Sequence, residues 1–246
     1  MSSDKRHPAT SPESVYWRRR GLHARDVKST LNEKRLHVHS LCEAASLPFR
    51  EVLKNWGFAM GCEESSDLTI LLVTTYHDGR IDTVARQCAR EGRPWLLFKP
   101  VGLEAWIGPL FKPKQGCLEC LRASLRLQDP VASFLEMRRA ADTPTSYPPA
   151  YTPATLRVAC HRAASELANH FLGNESAAIE DHVLTFDLTN WTSEVHGYVR
   201  RPHCPACGNP RPENPARLPF PSPPSLDLTR RHVDAPSRHG SSPRIL

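Results

Sequence analysis

Two C-x-x-C knuckles stand far apart in this chain, Cys117-Leu118-Glu119-Cys120 and Cys204-Pro205-Ala206-Cys207. Four thiolates offered two by two form a tetrahedral soft-ligand set that suits Zn²⁺. A two-residue spacer lets both sulfurs of a knuckle turn toward one ion, and Gly208 leaves room for the backbone to curl behind the second. Between Cys120 and Cys204 lie 83 residues, far beyond the ~15–20 of a local zinc ribbon. The expected ion therefore staples two distant parts of one domain. A closed set of four sulfurs leaves no open position for water or substrate, so Cys117, Cys120, Cys204 and Cys207 are read as ligands of structural rather than catalytic zinc. His203 could replace one of them, but a complete sulfur set makes that unnecessary.

Other readings of the cysteines carry less. A disulfide pair requires an oxidising compartment, and residues 1–35 are charged and lack the apolar segment of a signal peptide. A thioredoxin-like redox motif would account for one knuckle and not for two. Cys88 and Cys160 fall on apolar helical faces, where free cysteine serves as a small core residue. Cys42 and Cys62 sit near turns with no recognisable His/Asp partners, so no nucleophile is assigned.

Charge is unevenly spread. Residues 1–35 carry nine Lys/Arg against four Asp/Glu, and residues 210–246 carry six Arg against three acids, whereas the whole chain is +6. The basic pI thus belongs to the ends. Basic ends attract nucleic acid, but these lack the interleaved aromatics of a binding module and read as solvated, mobile tails. Nine of the 23 prolines fall in residues 210–246, a Pro/Arg/Ser-rich segment expected to be a disordered tail or a linker toward a further domain or partner. No apolar run reaches the length of a membrane span. The domain plan is a basic N-terminal extension (1–34), one zinc-containing domain (35–208) and the tail (209–246).

Within 35–208 the periodicity alternates between strand and helix. Residues 35–41 alternate apolar and polar, and 45–56 carry a helical apolar stripe that Gly57 closes. Asp67–Thr75 is nearly continuous in apolar residues, as in a strand buried on both faces. A helix over 79–91 and a strand over 93–98 follow, so the order implies crossover units and a parallel sheet. Glu104–Phe111 reads as a strand leading through a turn to Cys117, and 118–127 as a helix. A proline-rich loop spans 142–153. Thr152 and Pro153 then open a helix that Gly173-Asn174 ends. Strands Val183–Leu188 and Val195–Arg200 form an antiparallel pair about Asn190, the second running into Cys204. No internal repeat is visible. A nucleotide site after the first strand would need glycines there. Instead the segment is Cys42-Glu43-Ala44-Ala45-Ser46, and no glycine occurs from residue 22 to 56.

Taken in order, the glycine-poor first strand and helix, Asp67–Tyr76, Gly92–Gly102, Trp106–Phe111, Gly116–Arg122 and Arg200–Gly208 resemble a known family. They are similar to the ThiF-like (ubiquitin-activating-enzyme-like) proteins that partner YcaO enzymes, called cyclodehydratase C proteins or TOMM precursor leader peptide-binding proteins. The resemblance covers residues 35–208. It implies an α/β fold, a Rossmann-like ThiF-type parallel/mixed sheet with a four-cysteine zinc staple at Cys117, Cys120, Cys204 and Cys207. It further implies a cytoplasmic, non-catalytic docking subunit, in a pathway that makes thiazoles and oxazoles in bacteriocin-like ribosomal peptides. Its implied partners are a YcaO cyclodehydratase, the precursor's leader peptide and a second copy of itself. In that family an N-terminal winged-helix module binds the leader and a YcaO domain often follows the linker. Here only 34 residues precede the first strand, so the module is expected to be truncated, absent or supplied by another chain. Two other expectations remain: a ThiF-like ATP-dependent adenylyltransferase, and a zinc-dependent nucleic-acid binder using the basic ends.

Overall fold

A computed structural model describes residues 11–128, 149–173 and 179–208. All of these belong to one unit, Met1–Pro210. The expected tail at 209–246 and most of the proline-rich loop lie outside the described residues.

Among the described residues, seven strands form one sheet in the order β2-β1-β3-β4-β5-β6-β7. They are β1 (Arg35–Ser40), β2 (Ala59–Met60), β3 (Leu68–Leu72), β4 (Trp95–Lys99), β5 (Glu104–Phe111), β6 (His182–Asp187) and β7 (Ser193–Gly197). β2, β1, β3 and β4 run parallel, and β5, β6 and β7 continue antiparallel. The α/β mixed sheet expected from the sequence is therefore the fold of this chain.

Strand alternation deals side chains to two cores. Leu36, Val38, Ile70, Leu72, Phe98 and Ile107 face one side. Against them pack α3 (Glu43–Trp56) and α6 (Pro153–Phe171). Leu71, Trp95, Leu97, Phe111 and Val183 face the other, covered by α4 (Ile81–Glu91) and α5 (Leu118–Gln128). β3 is buried along its whole length, as a strand covered by helices on both faces must be.

The helix ends follow local chemistry. Gly57 takes a left-handed φ of +94° to end α3, a conformation that costs a side chain but not glycine. Thr152 caps α6 by accepting from Thr155 N at 3.1 Å, while the Thr155 hydroxyl accepts from Thr152 N at 2.9 Å. This reciprocal pair satisfies two otherwise unpaired donors.

The mobile-tail expectation fails for residues 12–33. They form α1 (Pro12–Arg19) and α2 (Ala24–Glu33), which bury Trp17, Val27 and Leu31 in the α3/α6 core. Arg20 donates to Asn169 Oδ1 at 2.8 Å on α6 and lies over the Tyr16 and Trp17 rings. Net charge conceals this, because three apolar contacts decide the packing while the cations occupy the outer face. Ser11-Pro12 is a helix start and Val27/Leu31 an i,i+4 pair, signals present but outweighed by the charge count. Among the described residues no helix is long and apolar enough to cross a membrane.

Candidate metal centre

β5 delivers the first knuckle. Beyond Phe111 the chain turns through Lys112–Gly116, and Cys117 stands at the head of α5, where its carbonyl accepts from Cys120 N (3.0 Å) and Leu121 N (3.1 Å). A helix N-terminus favours negative charge, so thiolates belong there. The second knuckle follows β7. Cys204 N donates to Arg201 O at 3.1 Å, and Gly208 N to Cys204 O at 2.9 Å. A Cβ on residue 208 would fall 2.5 Å from Cys204 O and 2.6 Å from Pro202 O. Those are backbone atoms that cannot move aside, so the tight curl requires glycine.

The structure brings all four sequence-predicted ligands together. Their sulfurs lie within 4.8 Å of one another: Cys117–Cys204 and Cys120–Cys207 are 3.5 Å apart, and Cys117–Cys120 is 3.9 Å. Four thiolates at ~2.3 Å from one tetrahedral ion would stand about 3.8 Å from each other, so the spacing fits a Cys₄ metal site. Cys120 and Cys204 are buried, Cys117 and Cys207 half-buried.

The electrostatics also call for a cation. Burial pushes the Cys117 and Cys207 thiols up. Burial opposes ionisation of Cys204 too, but the N–H groups of Cys207 and Ala206 and the thiols of Cys117 and Cys120 outweigh it and bring it to about 6. Arg201 N also points at Cys120 Sγ, at 3.4 Å. The cage thus supports thiolate without supporting four bare ones, and a bound metal cation would supply the missing charge.

Three contacts escaped the sequence reading. Tyr198 donates to Gly116 O at 2.8 Å, tying the strand before the second knuckle to the loop before the first; burial keeps its phenol protonated. Arg122 of α5 reaches Asp82 at 2.7 Å and Glu119 at 3.1 Å and so fastens α5 to α4. Tyr76, fully buried, places its hydroxyl within hydrogen-bonding reach of the carbonyls of Leu97, Trp106 and Gly108, to one of which its single proton is donated. A lone aromatic in a sequence gives no sign of such partners.

The remaining cysteines are scattered. Cys88 and Cys160 are core residues, the latter pushed up to about 12 by burial. Cys42, expected near a turn, precedes α3 and is buried in the core. Cys62 is exposed. His203 is exposed and is not in the sulfur cluster. At the end of β1 the chain passes from Leu41, whose N–H donates to Leu72 O at 2.8 Å, straight into α3 with Glu43 in its first turn. The turn follows the first parallel strand, the position at which dinucleotide-binding folds carry a glycine-rich phosphate loop, but it has no glycine and puts an acid in the first turn of the helix.

No family model matches the chain, and no curated protein sequence does. Solved structures do. A structure of the heterocyclase TruD matches with a TM-score of 0.67 and 25% identity, over 79% of this chain and 30% of that one. A heterocyclase in complex with substrate and cofactor matches equally, with 25% identity over 82% of this chain and 29% of the other. E. coli MccB with ATP matches with a TM-score of 0.57 and 14% identity, over 84% and 75%. The chain spans less than a third of the heterocyclase chains it resembles, and its likeness to MccB is one of fold.

Proposed function

We propose that this protein is a non-catalytic docking subunit of an azoline-forming YcaO cyclodehydratase in the cytoplasm, stapled by structural Zn²⁺ and helping to present a ribosomal precursor peptide. The observation that carries the reading is the match to heterocyclases at 25% identity over four-fifths of the chain. The turn after β1 is acidic and free of glycine, which supports a reading without a phosphate cradle there. In this reading Cys117, Cys120, Cys204 and Cys207 hold the ion. Zinc would supply rigidity, joining the loop after β5 to the segment after β7. Catalysis belongs to the partner, and a homodimer is the proposed assembly.

A pull-down against a YcaO cyclodehydratase from the same cells, with and without precursor peptide, tests the proposal. Enzyme capture with gain of heterocycle formation is the expected result. Folded, zinc-loaded protein that captures no enzyme would overturn it. Metal analysis and absorption spectra check the ion: one colourless zinc per chain is expected, and an iron-coloured site would reject zinc.

One further reading has an observation in its favour. The fold is shared with MccB, solved with ATP, so an ATP-dependent adenylyltransferase is the alternative. Isothermal titration with ATP and Mg²⁺ separates the two, since the docking reading expects no binding heat.

A further inference from the structure

Beside the metal centre, α4 and the Lys112–Cys117 loop enclose a groove of about 810 Å³, a volume in the range of ligand sites. Its apolar part comes from Ala85, Cys88 and Ala89 of α4, from Leu118, and from the Trp95 and Phe111 rings stacked 4.2 Å apart. Arg86 and Arg90, one turn apart on exposed α4, and Lys114 on the loop make its edge cationic. Among the described residues none of these three forms an ion pair. The other charges are already engaged: Asp82 and Glu119 by Arg122, Arg93 by Glu91 and Glu63, and Lys112 by Glu180.

We propose that this groove docks an acidic peptide segment with apolar anchors, carried by a partner. Aliphatic or aromatic side chains would sit over the small Ala85–Ala89 stripe, which lets them approach the helix closely. Carboxylates would meet Arg86, Arg90 and Lys114, where guanidinium can bind them two oxygens at a time. The site is elongated, for α4 is about 16 Å long at ~1.5 Å per residue, which suits a peptide better than a compact anion. Nucleic acid fits poorly. The Trp95 and Phe111 rings are each 4% exposed, too buried to stack bases, so only a phosphate-backbone attraction would remain.

The metal centre enters because Cys117, Ala206 and Cys207 line the same groove. The two knuckles make one wall, and joining them sets the width. Peptide binding therefore depends on the ion even though the ion does not touch the peptide. The inference rests on the docking reading only for the peptide's source, which under that reading is the precursor's leader.

Fluorescence anisotropy on the full zinc-loaded chain tests this, with a short labelled peptide in which Glu alternates with Leu and Phe. Saturable binding is expected, weakened at least tenfold by Arg86→Glu/Arg90→Glu and by Ala89→Trp, which fills the groove. Both changes lie on exposed α4 positions, and circular dichroism and zinc content should match the parent. A peptide with Ser for Leu and Phe should also bind at least tenfold more weakly. Chelation should release the peptide and added Zn²⁺ restore it. Undiminished binding in either variant, equal binding of the Ser peptide, or competition by oligothymidylate as strong as by unlabelled peptide would overturn the proposal. The enzyme pull-down is scored separately. Peptide binding without enzyme capture keeps the groove and sinks the docking reading, and enzyme capture without peptide binding does the reverse.

Discussion

The two halves of the sheet hold together by different means. In the parallel half, β3 is buried at all five positions and β4 at four of five. In the antiparallel half, β7 is exposed at four of five positions, and Trp191, Val195 and Val199 lie open to solvent. Hydrophobic burial scales with area removed from water, so the first half can stand on its core. The second has little apolar area at its edge, and the four cysteines, with the Tyr198–Gly116 hydrogen bond, sit where it would otherwise come loose. A small or open piece of sheet needs such a tether.

The largest effect should come from cutting that tether. Structural zinc is worth about 10–16 kcal/mol in small fingers, and Cys204→Ser or chelation should forfeit several of these. Hydrogen exchange should accelerate in β6, β7 and α5 while β1 and β3 stay protected. Uniform acceleration, or none, would show that the two halves do not differ in this way. Next is a cut in the parallel half. Ile70, inaccessible in the α3/α6 core, should cost about 2–5 kcal/mol when changed to Ala, read by chemical denaturation. Zinc content at fixed folded fraction should be unchanged, because Ile70 lies in the core on the other side of the sheet from the four cysteines. A parallel loss of zinc affinity would mean that the halves are coupled more tightly than their cores suggest.

The smallest effect concerns pH, where α6 meets the antiparallel strands. Burial depresses His170 below its ordinary 6.5, and Lys112 beside Glu180 holds that carboxyl below its ordinary 4.5. For His170 the unfolded chain takes up a proton first, so stability should fall as pH drops below about 6.5. For Glu180 the contribution is present above about 4.5 and is lost as pH falls through the lower folded value. His170 also contacts Glu180 at 2.7 Å, so His170→Gln should flatten the upper part of the thermal-melting profile and shrink the lower part without abolishing it, because Lys112 stays beside Glu180 at 2.7 Å. An unchanged profile would place the acid sensitivity elsewhere.

Much of this was readable along the chain. Strands β1, β3, β4 and β5 follow from their apolar patterns, α6 from Thr152-Pro153, and the metal ligands from two short spacings. These are local signals, each set by a few neighbouring residues. The basic charge of residues 12–33 implies a solvated tail, but the fate of that segment rests on Trp17, Val27 and Leu31, which are buried in the core. Strand β2 is two residues long, too short for any periodicity to mark.

By itself the sequence determined that four cysteines are available in metal-binding pairs, that the sheet opens with parallel crossovers, and that the first turn lacks a phosphate cradle. Tertiary structure alone decided that the two knuckles meet, across 83 intervening residues. It also decided that Tyr198 reaches Gly116, and that Arg86, Arg90 and Lys114 line one apolar groove. The physical reason is range. Spacing, caps and backbone freedom act over one turn or one strand, whereas a sulfur cage and a groove exist only after β5 and β7 have been carried into the same sheet.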